Sequence, residues 1–149
     1  MRAVVQRVRS ASVSIKGKET GCIGKGLVVL LGIHELDGSV EVKWMADKII
    51  NLRIFPDAEE KMNLSLSDIE GEMLIVSQFT LYGDCRKGRR PGYSGAAPPE
   101  IAEPVYDEFV RQVISRGITT ATGTFKAMME VSLINEGPVT LLLDSEKKF

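Results

Sequence analysis

The sequence predicts a single α+β domain, residues 1–149, with a largely antiparallel, barrel-like sheet and two main helices. Three observations carry this. Short runs rich in β-branched residues recur along the chain between Gly-containing turns. Only two segments, about Ser39–Leu52 and Glu100–Arg116, switch to helical spacing. The chain has 44% hydrophobic and 26% charged residues and no repeat, linker or low-complexity tract, the balance of one domain with its own core.

Val4, Val5, Val8, Val13 and Ile15 mark a first strand, and Lys16-Gly17-Lys18 a turn. Cys22 and Ile23 lie in a second strand that breaks at Gly24-Lys25-Gly26, and the apolar run Leu27–Leu31 is a third. Three strands this close in sequence are expected in meander order. From Ser39 the period changes: Trp44, Met45, Lys48, Ile49 and Leu52 follow helical spacing, Glu41, Lys43 and Asp47 suit a wet face, and Ser39 suits the N-cap. Residues 57–72 are polar and read as an excursion ending in a turn at Glu70-Gly71. Met73–Val76 is a buried strand that runs on into Ser77-Gln78-Phe79-Thr80-Leu81, where polar residues at a hydrophobic strand end require partners.

Tyr82–Pro99 reads as a loop holding Arg86, Lys87, Arg89 and Arg90. Ile101, Val105, Phe109 and Val113 fall at steps of four on a second helix, which Gly117 ends and in which Pro104 is awkward outside the first turn. Strands are expected over Thr119–Thr124, Met129–Ile134 and Val139–Leu143, the last two separated by Asn135-Glu136-Gly137-Pro138.

Composition excludes several function classes. A net charge of −1 does not suit a protein that neutralises many phosphates of a long duplex, although a small contact or a clustered patch remains open. Cys22 and Cys85 are no disulfide framework and are expected as free thiols in a reducing compartment. The first fifteen residues lack the apolar stretch of a signal peptide, and Leu27–Ile33 is too short to span a bilayer, so a cytoplasmic protein without membrane contact is expected. The single histidine, His34, closes a strand and reads as a surface residue more readily than as a base. With one histidine and no paired cysteines, neither a metal nor another cofactor is expected.

Ser77-Gln78-Phe79-Thr80-Leu81 and Asn135-Glu136-Gly137-Pro138-Val139-Thr140, about sixty residues apart, resemble the D-aminoacyl-tRNA deacylase family. The opening Arg-Ala-Val-Val-Gln-Arg-Val, the Phe55-Pro56-Asp57 region with Lys61-Met62-Asn63, and Lys87-Gly88-Arg89-Arg90-Pro91 match in kind and order, so the resemblance covers nearly the whole chain. The chain departs from the family at Glu136, commonly Asp, and at Gly92-Tyr93, more usually Ser-Phe.

The resemblance implies hydrolysis of the ester in D-aminoacyl-tRNA, and of mischarged glycyl-tRNA. Its partners are the aminoacyl-tRNA 3′ end and a second copy of the chain, with active sites at the subunit interface. It assigns Thr80, Gln78, Ser77 and Phe79 to the catalytic cluster. Gly137 and Pro138, joined by a cis bond and entering the opposite subunit's site, would reject L-substrates. Phe125, Met129 and Ala97 would line the nucleotide and substrate pocket. An activated ester needs no strong base, so positioning and oxyanion stabilisation by amides near Phe79 and Thr80 suffice without metal or His triad. Thr80 is then either the attacking hydroxyl or a positioning group beside an assisting tRNA 2′-OH. A lone threonine without a neighbouring base favours the second.

The residues also have plainer readings. Thr80 fits an ordinary strand, Phe125 and Met129 fit a core, and the basic loop fits a solvated surface. Gly137-Pro138 fits a trans turn, since cis accounts for about 5–6% of X–Pro bonds. Two other functions compete: a module that holds a tRNA end without cutting it, and an editing domain detached from a synthetase.

Overall fold

The computed structural model describes residues 1–149. Eight strands and two α-helices follow in the order β1 (Arg2–Ile15), β2 (Lys18–Ile23), β3 (Gly26–Gly32), α1 (Ser39–Ile50), β4 (Phe55–Pro56), β5 (Met62–Leu64), β6 (Glu72–Ser77), a 3-10 helix (Phe79–Tyr82), α2 (Pro99–Ser115), β7 (Thr120–Thr122) and β8 (Glu130–Asp144). The main sheet has the order β2-β1-β3-β6-β7, with β8 on β1, and β4-β5 is a separate small hairpin.

β1 organises the sheet. At fourteen residues it is long enough to serve β3 with Arg2–Val8 and β2 with Ala11–Ile15, while β8 runs beside it from Ser14↔Glu130 to Arg2↔Asp144. The first three strands are therefore not in meander order: β2 and β3 both pair β1, not each other. The turn between β1 and β2 is the two-residue Lys16-Gly17 loop, both at positive φ, which matches the twist of the strands it joins. All pairings of β1 are antiparallel. The sheet as a whole is mixed, because β3–β6 and β6–β7 are parallel, each reached by a crossover that contains a helix. The free edges of β2 and β7 approach one another: a Cβ on Gly21 would stand 3.2 Å from the Thr122 carbonyl oxygen. The sheet thus curls into a nearly closed barrel.

The apolar runs of β3 and β6 are explained by burial on both faces. Leu27, Val29, Leu31, Met73 and Ile75 face α1 and α2 in the main core of 23 residues. Val28, Leu74 and Val76 face inward with Val8, Ala11, Val13 and Ile23. Gly26 permits the close crossing at the start of β3, where a Cβ would overlap the Glu72 backbone.

α1 begins one residue earlier than the sequence suggests. Gly38 is the N-cap, and its N–H donates to Glu41 Oε2 at 2.9 Å, a bond that holds the Glu41 carboxyl below its usual range. Val42, Met45, Ala46, Ile49 and Ile50 are its buried face, Trp44 packs at the edge of the core, and Lys48 is exposed. α2 keeps Pro104 well inside the helix but on the solvent side, where the missing N–H costs least. Its buried face is Ala102, Tyr106, Phe109 and Val113; Ile101 points outward. Residues 57–72 are an ordered excursion, with Asp57 Oδ1 accepting the N–H groups of Glu59 at 2.8 Å and Lys61 at 3.1 Å. The two strands expected over Met129–Leu143 are one continuous β8, and Asn135–Pro138 lies within it at a break in register against β1. Both cysteines are exposed free thiols. No helix is long and apolar enough to cross a membrane.

Candidate functional site

β6 ends at Ser77, and there the chain leaves strand geometry. Gln78 still donates its N–H to the Leu31 carbonyl at 2.8 Å, then Phe79–Tyr82 turns into the 3-10 helix. Phe79, Thr80 and Leu81 are therefore helical, not the end of a strand. The start of this helix leaves its first N–H groups, those of Phe79 and Thr80, without an intrahelical partner. The Thr80 carbonyl accepts from Gly83 N–H at 2.9 Å, which closes the turn. The Thr80 hydroxyl accepts from Gln78 Nε2, and no carboxylate or imidazole bonds either side chain.

Behind this helix, Arg2 donates through Nη1 to the Leu81 carbonyl at 3.1 Å and through Nε to Asp144 Oδ2 at 3.2 Å. Its guanidinium lies 4.6 Å from the centre of the Tyr82 ring. One side chain thereby joins the Thr80 turn to the end of β8. Burial, and next Asp37, push the Tyr82 phenol above its usual value.

In front of the helix is a cavity of about 640 Å³. Ser77, Gln78 and Phe79 form one wall, Ala96, Ala97, Pro99 and Ala102 a second, and Phe125 to Met129 a third. Twelve of its sixteen lining residues are hydrophobic, which suits a flat base and an uncharged side chain better than an exposed phosphate. Phe125 serves two roles, lining the cavity while its ring packs against that of Tyr106 in the core, 5.9 Å away and tilted by 44°. Ala97 N–H is committed to the Ile33 carbonyl at 2.8 Å, so only the rest of its backbone faces a ligand.

The structure thus brings Ser77, Gln78, Phe79, Ala97, Phe125 and Met129 around one cavity. Thr80 lies exposed beside it, not in its wall. Gly137 and Pro138 do not line it, nor does any residue from Asn135 to Thr140. They are exposed on β8 and joined by a cis peptide bond. Arg7, 8% exposed, holds this segment, donating through Nε to the Glu136 carbonyl at 3.2 Å and through Nη1 to the Ile54 carbonyl. Gly137 has φ +117, and a Cβ there would meet Arg7 Nη2 at 2.6 Å.

Residue-level reading missed Tyr93, Lys126 and Met128 in the cavity wall. Met128 is 91% exposed, but it sits between Ala127 and Met129 in an apolar run, so nothing in the sequence sets it apart from a core residue. His34 is at a strand end as expected, with Nδ1 accepting from Leu36 N–H at 3.2 Å, and lies outside this cavity. No three His, Cys, Asp or Glu side chains gather anywhere in the chain to hold a metal ion.

The family profile described as D-Tyr-tRNA(Tyr) deacylase matches residues 4–144. The chain is 59% identical over 149 residues to the D-aminoacyl-tRNA deacylase of Syntrophobacter fumaroxidans, with all of both chains covered. It is 63% identical over 146 residues to that of Desulfatibacillum aliphaticivorans, covering 98% of this chain and 100% of the relative. Among solved structures, the c-Myc DNA Unwinding Element Binding Protein superposes with TM-score 0.92 at 43% identity, over 97% of this chain and 98% of the other. A probable eukaryotic D-amino acid tRNA deacylase shares the fold with TM-score 0.81 at 20% identity, over 95% and 97% of the two chains.

Proposed function

Since the chain belongs to the D-Tyr-tRNA(Tyr) deacylase family, we propose that it hydrolyses the ester joining a D-amino acid to the terminal ribose of tRNA in the cytoplasm. The observation that carries this is the apolar cavity opening beside the unpaired start of the Phe79–Tyr82 helix. The terminal adenine lies against Phe125 and Met129, an aromatic face and a soft thioether. The ester carbonyl then sits at the helix start, where the Phe79 and Thr80 amides stabilise the oxyanion formed when water attacks. The acyl–oxygen bond breaks, the ribose oxygen takes a proton, and free amino acid and tRNA leave.

Thr80 is a positioning group in this scheme. Its hydroxyl is bonded to the Gln78 amide, and an amide in either orientation is no base. The vicinal 2′-OH of the substrate is the nearer source of assistance to the attacking water. Handedness is read by a Gly137-Pro138 backbone contributed by a second copy of the chain. A backbone wall is blind to side-chain identity and excludes the L-arrangement at the α-carbon, while glycine, lacking a side chain, passes. Hydrophobic contacts alone discriminate by only about 1–3 kcal/mol per methylene. The exposure of Gly137-Pro138 on β8, outside the lining of its own chain's cavity, supports a site completed in a homodimer.

The test uses D-tyrosyl-tRNA and glycyl-tRNA, each with a normal and a 2′-deoxy terminal adenosine. Both normal substrates are expected to be cleaved. The deoxy substrate should lose more rate than Thr80→Ala does with the normal one. No release of amino acid from either normal substrate would overturn the activity. Normal cleavage of the deoxy substrate beside an inactive Thr80→Ala protein would reverse the assigned mechanism.

A further inference from the structure

We propose that the hairpin loop 84–92 docks the sugar–phosphate backbone of the tRNA acceptor end, with Lys87, Arg89 and Arg90 as its phosphate-binding cations. This rests on the hydrolase reading above and extends it from the terminal nucleotide to those that precede it.

The loop is a built element. Asp84 and Gly92 close its base by reciprocal backbone bonds of 2.7 and 3.0 Å. Residues 85–91 contain four cations and no anion, in a chain whose net charge is −1. One of the four is already engaged: Arg86 donates to both carboxylate oxygens of Asp84, through Nη2 at 2.7 Å and Nε at 2.9 Å. Lys87, Arg89 and Arg90 are exposed and pair with no carboxylate. Three uncompensated cations on one short tip make a local field of fixed sign.

The loop adjoins the cavity through the residue that follows it, Tyr93. Gly83, whose N–H closes the Thr80 turn, leads directly into the loop. Tyr93, which follows it, sets its ring edge-on to Phe79 at 5.2 Å and 69°, and both rings line the cavity. The tip lies three or four residues from Tyr93, so its cations reach to about 13 Å at full extension. A strand whose last base fills the cavity has its preceding phosphates within that distance. The chemistry also separates RNA from a lipid surface. The cations are not interleaved with large apolar side chains, which membrane-surface segments need.

The test measures kcat/KM for D-tyrosyl-tRNA between 50 and 200 mM salt, with the wild type and a Lys87→Gln/Arg89→Gln/Arg90→Gln variant. Each phosphate contact on a single strand contributes about −0.7 to the log–log salt slope. The wild type should therefore fall roughly twenty-fold over this range through three contacts, and the variant should lose that dependence. The loss should appear in KM, with kcat retained. On D-tyrosyl-adenosine, which has no upstream phosphate, variant and wild type should be equal. The proposal is overturned if the variant keeps the wild-type slope and KM on tRNA, or if it is impaired equally on both substrates. If the wild type cleaves neither substrate, the hydrolase reading falls. Titration of uncharged tRNA against both proteins then decides the docking site separately: weaker, less salt-dependent binding by the variant sustains it, and unchanged binding removes it.

Discussion

Gly137 and Thr80 fail differently when altered. Thr80 is exposed, and its loss removes one hydroxyl bonded to Gln78. Gly137 is held by geometry. Its φ of +117 lies where L side chains rarely go, and a Cβ would stand 2.6 Å from Arg7 Nη2. Arg7 is not free to yield, because the Glu136 and Ile54 carbonyls fix its guanidinium. Gly137→Ala should therefore cost about 1–3 kcal/mol of stability and displace the segment from its position on β8. The expected functional result is a lower D-over-L rate ratio with hydrolysis of L-substrate raised. Thermal melts and deacylation rates on the same preparation check this. A folded variant with unchanged selectivity would remove Gly137 from the discriminating wall.

At the scale of elements, α2 and β6 are joined by one buried polar contact. Tyr106 donates its hydroxyl to the Ile75 carbonyl at 2.9 Å, and that carbonyl also accepts from Gly123 N–H at 3.0 Å. Tyr106→Phe leaves no orphaned acceptor, so its expected cost is modest, about 0.5–1.5 kcal/mol. Burial raises the Tyr106 phenol above its unfolded value. Its contribution is thus complete below about pH 10 and lost as pH rises from there toward the folded value. Urea unfolding from pH 8 to 11 should show a shallower alkaline decline for Tyr106→Phe than for the wild type. Parallel declines would show that Tyr106 titrates alike in the folded and unfolded chain, so that its burial contributes nothing to the alkaline loss.

Elements also show where sequence pattern gives out. Both helices and the buried β3 and β6 were readable from period and composition, because their burial is carried by long apolar stripes. The sheet order was not. That β1 serves β2, β3 and β8 is set by its length and its bulges, and no local pattern encodes which distant strand fills an edge. Likewise Ser77–Leu81 reads as strand, yet chain direction changes at Gln78, where the last parallel bond to Leu31 ends. The cavity residues Phe125, Met129 and Ala97 came from family likeness, since an apolar wall and an apolar core share one composition. Tyr93 and Lys126 carried no such signal. The basic loop was visible as charge; its attachment to the cavity rim through Tyr93 and Phe79 was not.

At the scale of the molecule, the proposed reading requires two copies of the chain. The cavity and the Thr80 turn belong to one region of the chain, and Gly137-Pro138 to another that does not line the cavity. Ile134 and Leu142, 54% and 60% exposed, are apolar side chains presented outward on the same strand. A homodimer is expected by light scattering at assay concentrations, and a fully active monomer would refute the two-copy site. Chiral selectivity is tested by comparing D-tyrosyl-tRNA and L-tyrosyl-tRNA, identical except at the α-carbon, under single-turnover conditions with this protein. Rapid release of D-tyrosine is expected, with no release of L-tyrosine above the spontaneous rate. Cleavage of both at similar rates, or of the L-form alone, would contradict this selectivity.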